Sequence, residues 1–516
     1  RAKALAVRAR TEGAGSPVVH HLAALDLQDA GRFEDAIIEL GLGLQLQPDH
    51  AGMMTSVGYC LLELGRRQEA ANVLGAAMAR DPSSVMAIYG YGCAAERLGA
   101  LKAAESAFNR VLQLKPDHAD AVAGLSGLAV RRRDWETARS LAEKAAAIEP
   151  RQTDALMNLA RIDLGLGAFL SAERRLNDIV ALPYLPPAAR ADAIVMLGDS
   201  LDGQRRFAEA FEAYGQGKQV LNARYQTEFG GGRSAPDGAR QILEEFLGAP
   251  EAAWVTPPPT KGSERGHAFL LGFARSGTTL LEQILSAHPD VEALGERPLM
   301  LDAELEFLTR PGGVTRLADV FGDMLEPYRA AYWARVRSFD IDPAGKVFVD
   351  KHPLATVRLP LIHKLFPRAR VVFVIRDPRD VVFSCFRRNF NINAASYEFD
   401  TVERAAVYYD AVMEAGETYF ARLPIQVLKI RYEDLVADFD VACQTLCNFL
   451  EVPWNETLRT FAASAGERRI ATPSSTQVGR GLYEGGVGQW RNYPFALEPA
   501  LPILERWIDR FGYDPQ

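Results

Sequence analysis

The sequence predicts a multidomain chain, an all-α repeat solenoid followed by an α/β domain with a central parallel sheet. Three observations carry this. Residues recur at a fixed spacing through the first two hundred positions, a glycine- and proline-rich joint follows, and two strand–loop–helix patterns with anion-binding residues lie beyond it.

At 516 residues, 48% hydrophobic and 24% charged, the chain is long enough for two or three domains with full cores. A net charge of −8 argues against a general nucleic-acid binder. No stretch approaches the length of an apolar membrane span, and "RAKALAVRARTEGAG" lacks the apolar core of a signal peptide, although the chain begins without Met. Five cysteines without paired ligand spacing point to a reducing, cytoplasmic setting and to no metal site; Cys443 and Cys447, four apart, read as core packing. The sequon Asn455-Glu456-Thr457 then reads as coincidence.

Pro48, Pro82, Pro116 and Pro150 stand 34 residues apart, as do Ala36, Ala70, Ala104, Ala138 and Ala172. Gly31, Gly65 and Gly99 share the interval, Arg133 interrupts it and Gly167 resumes it. Small residues where two helices cross, glycine between them and proline closing each unit resemble the tetratricopeptide repeat. Gly203 and Ala208 keep the offset of Gly31 and Ala36, which predicts a sixth, shifted unit and a solenoid over residues 17–224. Each hairpin covers its neighbour's apolar face and leaves a concave surface, which serves as a groove for a peptide or protein, or as a scaffold or homodimer arm. Gly230–Gly232 and Pro257–Pro259 bracket "DGARQILEEFLG" and mark a linker over 225–260, with the second domain at 261–516.

"HAFLLG" followed by "FARSGTT" and "LLEQILSAH" reads as strand, loop and helix. Gly272 and Gly277 have the spacing of a nucleotide phosphate loop, G-x-x-x-x-G-K-[ST], but Thr278 stands where the lysine belongs. The free N–H groups of the helix start, with Ser276, Thr278, Thr279 and Arg275, suit one phosphate; without the lysine no γ phosphate is called for. A second pattern, "RARVVFVIRDPRDVVFSCFRRNF", places Arg376 at a strand's end and Ser384 on the helix after it. Residues 351–390 hold nine Lys or Arg against two Asp, which implies a local anion site, while Arg358, Lys364, Arg368 and Arg370 read as ordinary surface charges.

Together "FARSGTT" and "RDPRDVVFS" resemble the 5′-phosphosulfate and 3′-phosphate motifs of sulfotransferases, and residues 265–495 resemble tyrosylprotein sulfotransferases and bacterial sulfotransferases joined to tetratricopeptide repeats. The resemblance implies a P-loop-like sulfotransferase domain and the donor 3′-phosphoadenosine 5′-phosphosulfate (PAPS), giving 3′-phosphoadenosine 5′-phosphate (PAP) without a metal. It implies Arg275, Ser276, Gly277, Thr278 and Thr279 on the donor's 5′ side, and Arg376, Ser384 and Arg388 on its 3′-phosphate. Tyr432 of "RYEDL", and Ser474 and Arg480 of "SSTQVGRGLYEGGVGQW", are likewise implied near the donor, although the family often has lysine where Arg480 stands. Glu296 in "ALGERP" matches the family's catalytic glutamate, and Lys351 the lysine that stabilises the leaving phosphate oxygen; Arg275 completes the implied catalytic set. His352 is a rival base. In a strand, adjacent side chains face opposite ways, so Lys351 and His352 are not expected in one site, and His352 reads as a satisfied structural histidine.

The implied reaction moves a sulfuryl group to a hydroxyl, that of a peptide or protein tyrosine or of a saccharide, lipid or small alcohol. Two other classes compete: an ATP or GTP kinase or NTPase with Asp377 as its magnesium carboxylate, and a nucleotide-binding repeat adaptor without catalysis. Thr278 weighs against the first, and the presence of both Glu296 and Lys351 against the second.

Overall fold

The structure, a computed structural model of the chain, describes residues 15–255, 264–339, 341–390, 392–461 and 486–515. Its contacts divide the described residues into two compact units between Pro183 and Tyr184.

The first unit is five helical hairpins: α1 (Pro17–Asp29) with α2 (Phe33–Leu46), α3 (Ala51–Glu63) with α4 (Arg67–Arg80), α5 (Val85–Arg97) with α6 (Leu101–Leu114), α7 (Ala119–Arg132) with α8 (Trp135–Ile148), and α9 (Thr153–Gly165) with α10 (Phe169–Val180). The five periodic alanines are wholly buried at the crossings. Gly31, Gly65, Gly99 and Gly167 take φ of 72–77° in the hairpin turns, where the next N–H reaches back five residues to close the helix end. Arg133 takes the same turn with φ 60°, so the interruption is one of residue type and not of geometry. A series invisible to the glycine and proline spacing opens each repeat: the side chains of Ser16, His50, Ser84, His118 and Gln152, again 34 apart, accept the N–H three residues on.

The second unit opens on another pair, α11 (Pro187–Gly203) and α12 (Phe207–Phe229). Its register differs from the expected Gly203–Ala208. Arg205 has the left-handed φ of 62°, Arg206 N–H closes on the Leu201 carbonyl, and Ala210 is wholly buried while Ala208 is exposed. Burial of the crossing alanine sets the phase, so it passes to Arg205 and Ala210. Within 225–260, α13 (Ala235–Gly248) packs on the second unit, its Phe246 ring 4.8 Å from Trp254 and 4.9 Å from Tyr419.

Five parallel strands follow, β1 (Gly266–Leu271), β2 (Val291–Gly295), β3 (Val347–Lys351), β4 (Arg370–Ile375) and β5 (Gln426–Arg431), in the order β2-β3-β1-β4-β5. β1, β3 and β4 are mostly apolar and almost wholly buried, as a parallel sheet covered on both faces requires, with Asp350 and Lys351 at the end of β3 among the exceptions. The helices are α14 (Thr278–Ser286), α15 (Leu301–Phe307), α16 (Gly313–Ala318), α17 (Glu326–Arg337), α18 (Leu359–Leu365), α19 (Pro378–Phe386), α20 (Ala394–Tyr397), α21 (Val402–Arg422), α22 (Tyr432–Ala437), α23 (Phe439–Leu450), α24 (Pro494–Leu497) and α25 (Leu501–Arg510). The chain leaves β1 toward β2 and leaves β4 toward β5. These neighbours diverge in opposite directions, which opens a crevice beyond their carboxyl ends. No helix among the described residues is long and apolar enough to cross a membrane.

Candidate active site

The loop after β1 turns tightly because two glycines remove side chains where backbone and ring crowd in. A Cβ on Gly272 (φ 153°) would sit 2.7 Å from the Val374 carbonyl oxygen, and one on Gly277 (φ 107°) would sit 2.6 Å from the Tyr432 ring. Between them Arg275 holds φ 69°, uncommon for a residue with a Cβ. Its guanidinium is buried, and burial, aided by the like charges of Arg388 and Arg376, pushes it down to about 9. Arg275, Arg376 and Arg388 thus act on one another at close range, an arrangement whose mutual repulsion an anion would relieve. Ser276, Thr278 and Thr279 are buried around the start of α14.

The loop after β4 meets the first from the other side of the crevice. Arg275 Nε donates to Ser384 Oγ on α19 at 3.0 Å, and Arg376 Nη1 donates to the Arg275 carbonyl at 2.9 Å. The Arg376 guanidinium lies 5.0 Å from the centre of the Tyr432 ring and also donates to the Gly486 carbonyl, while its buried Nε has no hydrogen-bond partner among the described residues. A buried, unspent guanidinium donor fits a phosphate oxygen. Asp377 is committed elsewhere: Arg379 donates to both of its carboxylate oxygens at 3.0 and 2.9 Å, which leaves it poorly placed as a magnesium ligand.

Arg388 pairs with Asp199 of α11 at 2.7 Å, and the buried Arg387 pairs with the same carboxylate at 3.0 Å. Beneath them Lys218 of α12, buried, donates to the carbonyls of Cys385 and Arg388 and so closes the carboxyl end of α19. Burial pushes Lys218 down to about 8.

At the far side of β1, register sets the second cluster. Lys351 ends β3 opposite Leu270 of β1 and Gly295 of β2, and the Glu296 N–H donates to the Lys351 carbonyl at 2.7 Å. Glu296 takes φ 44°, which turns its side chain back so that Oε1 lies 2.6 Å from Lys351 Nζ. The Lys351 side chain is 0% exposed and that of Glu296 42%, so the amine is sealed while the carboxylate meets solvent. Glu282 of α14 gives Lys351 a second carboxylate at 3.1 Å. Burial alone would lower the Lys351 ammonium, but Glu282 and Glu296 hold it above the usual lysine range.

Strand alternation sends Asp350 the other way, where Tyr332 donates to it at 3.0 Å. His352 is not the satisfied histidine expected. Its Nδ1 is buried without a hydrogen-bond partner among the described residues, and burial pushes the ring down to about 3. Lys364 also departs from expectation, being buried and bonded to the Ala318 and Val320 carbonyls at 3.0 and 3.2 Å, whereas Arg358 pairs with Glu304 at 2.6 Å. Ser474 and Arg480 lie outside the described residues.

The sites expected from the sequence therefore fall in two groups at the carboxyl edge of the sheet: Arg275, Arg376, Ser384 and Tyr432 around the β1–β4 crevice, and Lys351 with Glu296 beside it. Glu282, Asp199 and Lys218 join them without having been singled out. The signal for Glu282 is an ionisable residue in α14, whose first eight residues are all buried.

A parallel sheet with crowded arginines at its switch point and a lysine–carboxylate cluster beside it can hold an anion next to a carboxylate able to take a proton. Residues 268–456 match the model of the sulfotransferase family, and residues 58–119 match a tetratricopeptide-repeat model. The sulfotransferase-family match thus falls within the second unit and the tetratricopeptide-repeat match within the first. An uncharacterized protein of Aquifex aeolicus (strain VF5) is 27% identical over 66% of this chain and 44% of its own length, so the match spans less than half of that relative. Protein-tyrosine sulfotransferase 1 of Danio rerio is 26% identical over 48% of this chain and 72% of its own, and that of Homo sapiens 26% identical over 48% and 69%. Among solved structures, the sulfotransferase domain of the Synechococcus PCC 7002 olefin synthase is 24% identical, covering 51% of this chain and 99% of that one with a TM-score of 0.35.

Proposed function

We propose that the protein is a PAPS-dependent sulfotransferase whose acceptor is a tyrosine hydroxyl of a peptide or protein. The observation that carries the reading is the crevice in which Arg275, tied to Ser384, is crowded by Arg376 and Arg388, next to a loop with Thr278 in place of a phosphate-loop lysine. Two separated anion positions suit a 5′-phosphosulfate and a 3′-phosphate better than a triphosphate.

In this reading Arg275 and the N–H groups opening α14 hold the 5′ end, while Arg376, Ser384 and Arg388 take the 3′-phosphate. Tyr432, under Arg376, borders the nucleotide. The acceptor oxygen bonds to sulfur as the sulfur–oxygen bond to the 5′-phosphate breaks. The electron pair of that bond stays on the phosphate oxygen, where Lys351 stabilises the charge, and the acceptor's proton passes to Glu296. The half-exposed Glu296 is the group an acceptor meets first. Likeness to protein-tyrosine sulfotransferases supports a tyrosine acceptor, and the repeats offer a groove for the polypeptide that carries it.

The test is transfer of labelled sulfate from PAPS to panels of tyrosine peptides, glycans and small alcohols, read by mass. Transfer to tyrosine peptides alone is expected; transfer to a glycan or alcohol alone replaces the acceptor, and binding of PAP without transfer to any panel overturns the enzyme reading.

A further inference from the structure

Lys351 has two carboxylates, and the proposed chemistry occupies only one. Glu282 is buried, whereas Glu296 reaches solvent. The fold reserves the place of Glu282: a Cβ on Gly295 would collide with Glu282 Oε1, closer than side-chain carbons come. The glycine before Glu296 is thereby explained by the carboxylate it admits, not by a turn, since Gly295 ends β2 without a positive φ.

The charges around Lys351 show what the second carboxylate does. Glu282 faces it from α14, Glu296 from the end of β2, and Arg297 follows Glu296; Asp350 leaves the opposite face of β3, where Arg358 and Glu304 act on it, and His352 comes next in the chain. When Glu296 accepts a proton it ceases to be a counter-ion. Without Glu282 the buried ammonium would then keep only the leaving phosphate oxygen, and before the donor binds and after the product leaves it would have no other counter-ion and would tend to lose its own proton. We propose that Glu282 is a positioning residue, the permanent counter-ion that keeps Lys351 protonated and aimed while Glu296 leaves it to take the acceptor's proton. This rests on the sulfotransferase reading and assigns a role within it to a residue that touches neither donor nor acceptor.

The experiment compares the full chain with Glu282→Gln, Glu282→Asp and Gly295→Ala. PAPS is the donor, and a synthetic acidic tyrosine peptide or 2-naphthol the acceptor. Glu282→Gln is expected to lower kcat about 10- to 100-fold at pH 7, to leave KM for PAPS and the Kd of PAP within about threefold, and to move the alkaline limb of the kcat profile at least about one unit lower. Glu282→Asp should recover part of the loss. Gly295→Ala, which alters no charge, should reproduce it by displacing the carboxylate. A loss of kcat equal at every pH, an unshifted alkaline limb, or a parallel loss of PAP affinity overturns the role. Should the unmodified chain transfer sulfate neither to these probes nor to any glycan or alcohol of the panel, the sulfotransferase reading itself fails. The Glu282→Gln and Lys351→Met double-mutant cycle on unfolding then still decides the counter-ion: additive effects overturn it, and a coupling of tenfold or more supports it.

Discussion

Arg275 Nε and Ser384 Oγ, 3.0 Å apart, join the loop after β1 to the helix after β4 across the crevice where those two strands diverge. The bond draws its partners from residues 109 apart in sequence, so the loop after β1 and the helix after β4 are tied together with no ligand bound. Preorganisation of this kind lowers the ordering cost of binding. Ser384→Ala should weaken PAP by about 1 kcal/mol, and Arg376→Ala, which removes a charge and the unspent Nε, by roughly 1.5 to 3 kcal/mol. Calorimetry with PAP, and with ATP as the weaker control, measures both. Unchanged affinity in Arg376→Ala would remove that residue from the site.

Glu296→Gln keeps the side chain's size while abolishing its basicity. PAP binding should stay near normal while turnover falls roughly 10²- to 10⁴-fold. His352→Ala is the companion measurement. The ring is already neutral and a weak base throughout the working pH range, because burial pushes it down to about 3. Its replacement should change kcat only a few-fold; abolition of turnover there, with Glu296→Gln active, would transfer the base to His352.

Much of this arrangement was legible in the sequence because it rests on local pattern. The interval of 34 exposed the repeats, and each anion loop lies within one strand–loop–helix segment. What stayed hidden depends on contacts distant in sequence or on burial. Glu282 looks like any polar residue of a short helix until β2 and β3 bring Gly295 and Lys351 against it. Asp199 meets Arg387 and Arg388 across 188 and 189 residues, a pairing that no local spacing announces. The sixth hairpin hides its register for a different reason: Arg205 adopts the turn conformation without being glycine.

Asp350 gives a pH dependence of stability with a definite sign. Burial raises its carboxyl to about 7, even though Tyr332 donates to it, so the folded protein retains a proton that the unfolded chain releases at about pH 4. Stability therefore falls as pH rises from about 4 to about 7 and stays reduced above that range. Asp350→Asn, which keeps an acceptor for Tyr332, should be more favourable relative to the unmodified chain at pH 8 than at pH 5, by on the order of 2 kcal/mol. Urea melts at the two pH values measure the difference. An equal effect at both would show that Asp350 is ionised in the folded protein.

The position of a truncation should decide whether donor binding survives. Removing the residues before Tyr184 leaves α11 and α12, whose Asp199 and Lys218 hold Arg387, Arg388 and the end of α19. That protein should bind PAP within about threefold of the full chain. Removing residues through 224 strips the carboxylate from the buried Arg387 and from Arg388, and an orphaned buried charge costs about 3 to 5 kcal/mol. The shorter protein should melt well below the longer one and lose most of its PAP affinity, and Asp199→Asn in the full chain should show part of the same loss. If a polypeptide acceptor is held by the repeats, the longer truncation product should also show a raised KM for a long tyrosine peptide and an unchanged KM for 2-naphthol. Melting curves and PAP calorimetry on both proteins check the division. Equal PAP affinity in two well-folded truncations would separate α11 and α12 from the donor site.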